Sequence, residues 1–382
     1  MNISNSFMFQ KTLKAQTPLI HFQYNQSGAT LRATEVKPKL DRFLLTHYGD
    51  KISDKWKVKA DTPALNYKLH FEACGKQETV ELGKGDFDIF YGNMGDSSQY
   101  KKGIFGDVTM TVICTISELR RLIEEHIAEF FAVTNFGTMQ GKGFGSYTVE
   151  GTAYHPEFIA DCLKRAYGAK ACYSFAGGPA PFKALKTVYG IMKSGVNFTP
   201  FRDPDSYQRS LLFLFMHNEY KIGNEKAWLK QKGFVPSDTG KNANRWHRNS
   251  DEHTAYYVRA LLGIGDHIDF IKDVTQKKTR ENKITVTIAN TSKTVERFHS
   301  PIFFKIIDGN VYFVARRIEK EIFGAEFKFT TPGGSGILAV PTEEVLGEDF
   351  IDRFMAYCKN ELSSGILKKF KETAGITIQE VG

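Results

Sequence analysis

The stretch Phe136-Gly-Thr-Met-Gln-Gly-Lys-Gly-Phe-Gly-Ser-Tyr147 constrains this chain more than any other segment. It holds Gly137, Gly141, Gly143 and Gly145, with Lys142 as its one cation. An amphipathic helical pattern, Leu119–Phe131, precedes it, and a strand pattern, Val149–Tyr154, follows. Helix–loop–strand is the reverse of the strand–loop–helix order that phosphate-binding P-loops and dinucleotide fingerprints require. Those two functions are therefore excluded for this loop. Glycines let the backbone take positive φ and approach a partner closely, and successive N–H groups in such turns form anion-binding concavities. Lys142 would add charge there. The other reading is a tight connection without a ligand.

The elements around the loop suggest a fold. Thr17–Tyr24 alternates as a strand and runs into the turn-rich Asn25–Gly28. Thr34 is placed to cap a helix with Val36, Leu40, Phe43 and Leu44 on one face, and Pro38 falls near its first turn. Ala64–Ala73 and Phe105–Thr115 alternate as strands, and Ser117 opens the helix before the loop. Strand, helix, strand, strand, helix, strand is the order of an α+β ferredoxin-like (RRM-like) domain, which leaves one face of an antiparallel sheet open to a long ligand.

With 382 residues, two domains are expected. The division falls between Ala176 and Phe198, giving an N-terminal domain at 1–180 and a C-terminal α+β domain at 181–382. The latter carries a helical insertion at about 196–271, with helical spacing in Ala180–Met192, Asp205–Met216, Glu225–Gln231 and Glu252–Leu262. Strands follow at about 283–340, including a hairpin at Asp308-Gly309, and then a helix at Glu348–Lys359.

Composition narrows the function. A chain 41% hydrophobic and 25% charged buries a core, which excludes disorder as its main state. No apolar run reaches membrane-spanning length, and the first residues lack a signal-peptide pattern, so a cytoplasmic location is expected. Five scattered cysteines, none in a Cys-x-x-Cys pair, argue against a disulfide framework or a common zinc site. No metal or cofactor is expected. The 51 Lys and Arg against 43 Asp and Glu leave +8, which suits an anionic partner such as nucleic acid.

Three blocks carry a family resemblance. Ile127–Tyr147, a helix that runs through Phe136-Gly137 into the glycine loop and closes on Gly143-Phe-Gly-Ser146, resembles the RAMP superfamily of CRISPR effector subunits. Thr17–Phe22 with Gly28–Arg42 resembles the opening strand, small-residue loop and first helix of these proteins, and Ile89–Gly92 with Lys102–Thr111 their phenylalanine–glycine and strand block. The first RAMP subunit of the Cmr (type III-B) module is the most similar within the superfamily, having two RAMP-type halves. Arg297–Ile307 resembles a late strand block, and Pro332–Gly336 would be a second glycine loop.

The resemblance implies a ferredoxin-like fold, guide-RNA binding, possible contact with target nucleic acid, sister RAMP subunits as partners, and no membrane. It implies phosphate contacts at Lys142 and at the backbone of Gly141, Gly143 and Gly145, with Arg32, Lys37 and Lys39 adding charge at the first helix. Slicing members carry an Asp in the loop after the first strand; Asn25–Thr30 has no acidic residue, which favours a non-catalytic binding subunit. Trp246, between Arg245 and Arg248, could stack an RNA base. Two alternatives stay open. One is an RNA-processing endoribonuclease using His21 or His247, with His253 nearby, as acid or base. The other is an assembly or regulatory protein on the same scaffold.

Overall fold

The structure is a computed structural model and describes residues 7–21, 26, 29–59, 61–82, 87, 102–197, 207–236, 253–272, 283–292, 295, 298–371 and 373–382. Arg245, Trp246, His247 and Arg248, and the Ile89–Gly92 part of the second family block, lie outside these residues.

The first unit runs β1 (Met8–Ala15), α1 (Ala33–Tyr48), β2 (Lys68–Glu81), β3 (Lys102–Ile113), α2 (Ser117–Val133) and β4 (Tyr147–Val149). Its sheet has the order β2-β3-β1-β4, antiparallel throughout. Val108, Met110 and Val112 of β3 turn inward beneath Leu40 and Leu44 of α1 and Ile123 and Phe130 of α2. The opposite face is polar: Gln10 pairs with Thr111, Thr12 with Thr109, and His70 and Glu72 flank them.

The opening strand differs from the expected one. It is Met8–Ala15, and residues 17–21, the described part of Thr17–Tyr24, form no strand. Pro18–Ile20 has left the sheet, apart from a single bridge between Leu19 and Ile104. Its apolar pattern is satisfied by two cores at once, since Leu19 joins the first unit's core and Ile20 the second's.

After α3 (Pro156–Tyr167) the chain forms β5 (Cys172–Ala176) and α4 (Pro181–Lys193). The insertion contributes α5 (Leu211–Tyr220), α6 (Glu225–Gln231), β6 (His267–Ile271) and β7 (Lys283–Asn290). Then come β8 (Ile302–Ile307), β9 (Asn310–Ala315), β10 (Glu326–Thr331), β11 (Gly334–Ala339), α7 (Phe350–Ser363) and β12 (Gln379–Val381). Most of the expected helix at Glu252–Leu262 is absent; Val258–Leu262 makes a 3₁₀ turn. The β8–β9 hairpin turns on Asp308 and Gly309, both at positive φ, as a two-residue turn of the primed type requires.

Two further four-stranded sheets result, ordered β8-β9-β5-β12 and β6-β7-β10-β11. The first of these repeats the opening unit. Its strands and helices follow as β5, α4, β8, β9, α7, β12, and in that succession the sheet again places the second, third, first and fourth strands side by side. The division expected at residue 180 falls between β5 and α4, whereas β5 pairs with β9 and β12. Pro332–Gly336 is not a second glycine loop between a helix and a strand. It is the turn between β10 and β11 in the third sheet, where a Cβ on Gly336 would come within 2.6 Å of Trp228.

The second unit's central sheet is buried on both faces, which explains its near-continuous apolar strands. Tyr173, Phe175, Phe304 and Phe313 face the larger core with α4 and α7. Cys172, Ile307, Tyr312 and Val314 face α3 and the first unit's core. The sheet surface that a ferredoxin-like domain would leave open is thus occupied here by the other unit. Among the described residues no helix is long and apolar enough to cross a membrane.

Candidate nucleic-acid interface

The glycine loop lies at the junction of the two units, and its backbone donors are used within the protein. Gly137 N–H donates to the Glu35 carboxylate (2.8 Å), Thr138 N–H to Ile20 O (2.8 Å) and Gly145 N–H to Pro18 O (2.8 Å). Lys142 N–H and Gly143 N–H close turns onto Met139 O and Gln140 O. Of the three glycines expected to cradle phosphate, Gly145 has its N–H taken by Pro18 O and Gly143 by the turn onto Gln140 O. Gly145, at φ +67°, shows why glycine is required: a Cβ would sit 2.0 Å from Phe136 O. The close approach that these glycines permit is to the chain itself.

The loop is also strapped to β8. Asn135 Nδ2 donates to Gln140 O (2.7 Å) and to Phe304 O (2.9 Å), and Ser146 Oγ donates to Ile306 O (2.7 Å). In return Phe304 N–H donates to Gly141 O (3.2 Å). Lys305, the one polar residue in the β8 run and wholly buried, donates to Thr134 O (2.8 Å) and Asn135 Oδ1 (3.2 Å). Burial pushes its ammonium well below the lysine range. Thr134 caps the C-terminus of α2, where the helix dipole favours a cation and opposes that push.

Lys142 does not present its charge to solvent. Its side chain is half-buried, but the ammonium is shielded and lies 3.4 Å from the Tyr189 ring centroid and 5.5 Å from that of Phe304. It has no hydrogen-bond partner among the described residues, and burial pulls its pKa down to about 7. Two rings in place of a counter-ion make this a cation–π seat.

The first helix is braced in the same way. Lys37 Nζ donates to Asp41 (2.7 Å) and Leu65 O (2.8 Å) and lies 4.4 Å from the Tyr67 ring centroid. Lys39 Nζ holds Glu35 (2.9 Å), Asn135 O (3.0 Å) and Gln140 Oε1 (2.8 Å). These lysines tie α1 to the segment just before β2 and to the glycine loop. Arg32 stands half-buried at the N-cap of α1. His21 is buried; desolvation, then the Arg32 charge, lower its pKa, against a weaker pull from Glu35. It is not an accessible acid or base.

The sequence reading missed a cluster of cations behind Tyr189. Tyr189 and Lys193 lie one turn apart on α4, and both donate to Leu262 O, at 2.9 and 3.0 Å. Lys193 Nζ also donates to Gly263 O (2.7 Å). Arg259, on the 3₁₀ turn Val258–Leu262, pairs with the buried Glu225 carboxylate at the start of α6. Lys226 follows next in the chain. Burial and the Arg259 charge pull its pKa down to about 8, and Lys193 is lowered by burial first, with Lys142 and Arg259 adding to it. No short motif links residues 142, 193, 226 and 259, so no linear signal could have found them.

Two duplicated α+β units locked through a glycine loop match known domain models in series. The model of the Cmr1 N-terminal domain covers residues 7–196, and that of the Cmr1 C-terminal domain covers residues 207–372. The class so defined is the Cmr, or type III-B, CRISPR effector subunit. The chain belongs to the Cmr1 family. Among solved structures, Cmr1 from Pyrococcus furiosus in its apo form is 8% identical over 98% of each chain, with a TM-score of 0.39. A chain of the type III-B Cmr-beta complex bound to cognate target RNA is 7% identical with a TM-score of 0.28; the match covers 38% of this chain and 58% of that one. No curated protein matches the chain.

Proposed function

We propose that the protein is a non-catalytic, RNA-binding subunit of a type III-B CRISPR ribonucleoprotein, acting in the cytoplasm beside sister RAMP subunits. The observation that carries the reading is membership of the Cmr1 family across residues 7–196 and 207–372 in a chain with net charge +8. A guide or target strand is the kind of anionic partner that such a charge favours. Arg32 at the N-terminus of α1 and the segment of Arg245, Trp246 and Arg248 remain in the proposed contact set. Lys142, Lys37 and Lys39 act on RNA indirectly, by holding the loop and α1 in place.

The test is binding of single-stranded RNA by the full chain, alone and with its sister subunits, over a range of salt. Affinity that falls steeply with salt is expected. Absence of binding at low salt with the sister subunits present would sink the reading. The endoribonuclease alternative gains from cleavage of a CRISPR repeat RNA by the isolated chain.

A further inference from the structure

We propose that the outer edge of β2, in the first unit, docks a glycine-loop segment of a sister RAMP-type subunit, as β8 docks the chain's own glycine loop. This rests on the proposed place of the protein beside sister subunits and gives that contact a surface. The joint within the chain supplies the pattern. β8 is the outer strand of its sheet, and the loop between α2 and β4 lies against its free edge. Phe304 N–H donates to Gly141 O, Phe304 O accepts from Asn135 Nδ2, and Ile306 O accepts from Ser146 Oγ. The side chains of Phe304 and Ile306 enter the core that α4 and α7 close.

β2 is the outer strand of the matching sheet. Cys114 N–H donates to Phe7 O (2.8 Å), so by the alternation of an antiparallel ladder Val112 and Met110 also bond to β1, and Ile113, Thr111 and Thr109 bond to β2. Their partners Lys68, His70 and Glu72 therefore face β3, and Leu69, Phe71 and Ala73 turn their N–H and C=O groups outward. The side chains of Leu69 and Phe71 pack on the core beneath α1 and α2. They stand in the first unit as Phe304 and Ile306 stand in the second. The difference is occupancy. Five of the six residues of β8 are buried, and none of β2 is. Among the described residues nothing bonds to the outward backbone groups of Leu69, Phe71 or Ala73.

An open row of backbone donors and acceptors on an edge strand invites an added segment. The far end of β2 is guarded against this: a bulge between Cys74 and Glu78, with Gly75 at φ +73°, breaks the register, and Lys76, Glu78 and Glu81 carry exposed charge. Residues 68–74 pair with β3 without interruption, a stretch no shorter than β8. The occupant that fits is the kind β8 takes, a turn of small residues offering a carbonyl, a side-chain amide and a hydroxyl. The chain's own glycine loop is committed to β8, so the segment for β2 comes from another subunit. A second copy would offer residues 364–378, which hold the same place between α7 and β12. They contain no Asn or Gln, so they lack the amide that Asn135 supplies.

Hydrogen exchange read at single residues tests this on the full chain, alone, assembled with its sister subunits, and with single-stranded RNA only. In the chain alone the amides of Leu69, Phe71 and Ala73 should exchange fast, and those of His70 and Glu72 slowly. On assembly with the sister subunits at least one of the three outward amides should slow tenfold or more. Ala73→Pro removes an outward donor from an exposed edge position and leaves the ladder to β3 intact. It should lower affinity for the sister subunits roughly tenfold, and Ala73→Ser, which keeps the N–H, should not. Matched melting temperatures separate docking from folding. If the chain assembles while all three amides stay fast, or Ala73→Pro assembles as wild type does, the edge is wrong and complex membership stands. Slowing by RNA alone would overturn the protein partner, and slowing on self-association of the isolated chain would give the edge to a second copy instead. If the wild-type chain does not assemble with the sister subunits, the proposed function falls as well.

Discussion

The ammonium of Lys142, in the first unit's loop, stands 3.4 Å from the centroid of the Tyr189 ring, on the second unit's first helix. The loop's one cation is thus part of the joint between units. Near it stand Tyr189, Phe304 and, further off, Lys193.

That seat makes stability depend on pH in a definite direction. The folded pKa is about 7, against an ordinary 10.5, so between those values the folded state binds fewer protons than the unfolded one. The free energy of unfolding then rises with pH across that window. Thermal melts at pH 7 and pH 9 should show a higher Tm at pH 9. Lys142→Met should be more stable at pH 7 by about 1 kcal/mol, with a shallower pH dependence. Lys142→Glu, which buries a carboxylate against two rings, should lose stability. Equal pH slopes for wild type and Lys142→Met would refute the assignment.

Gly145→Ala should destabilise by about 3 kcal/mol or more, because positive φ and a Cβ 2.0 Å from Phe136 O are both forced at once. Gly141→Ala is the control: nothing lies within 4 Å of its added Cβ, so its effect should stay within about 0.5 kcal/mol. Urea denaturation of the two variants checks the contrast.

Asn135→Ala should cost about 2–3 kcal/mol, since it strips a donor from two carbonyls and an acceptor from Lys305 at a buried site. Limited proteolysis should then cut the joint between units sooner than in wild type. An unchanged digestion pattern would show that the strap is dispensable.

His21→Ala should leave RNA binding by the full chain unaltered and reveal no lost nuclease activity, as the ring is enclosed. Repeat-RNA cleavage that disappears in this variant would restore the endoribonuclease reading.

Strong local patterns were legible. The alternation in Phe105–Thr115 became β3, the spacing of Leu119–Phe131 became α2, and Asp308-Gly309 became a hairpin turn. β1 escaped notice because its inward side mixes Phe9 and Leu13 with Lys11, while the louder apolar run beside it is buried by tertiary packing outside the sheet. The duplication was hidden because the insertion separates β5 from β8 and β9. Lys142 misled for a simpler reason. A loop lysine among glycines looks exposed until the rings that receive it, at residues 189 and 304, are brought in by the fold.

The strand order of the second unit sets a timetable for synthesis. The first unit is complete once Val149 has emerged; β2 pairs with its chain neighbour β3, and β1 waits for β3 and β4. The second opens with β5 at residues 172–176 but is closed by β12 at 379–381, so its sheet must wait for everything between. Contacts that span so much chain form slowly and leave an edge bare in the meantime. One face of that unfinished sheet is destined for the first unit's core. A nascent chain can therefore use its finished half as the template against which the later half assembles, and destabilising the first unit should lower the yield of the second.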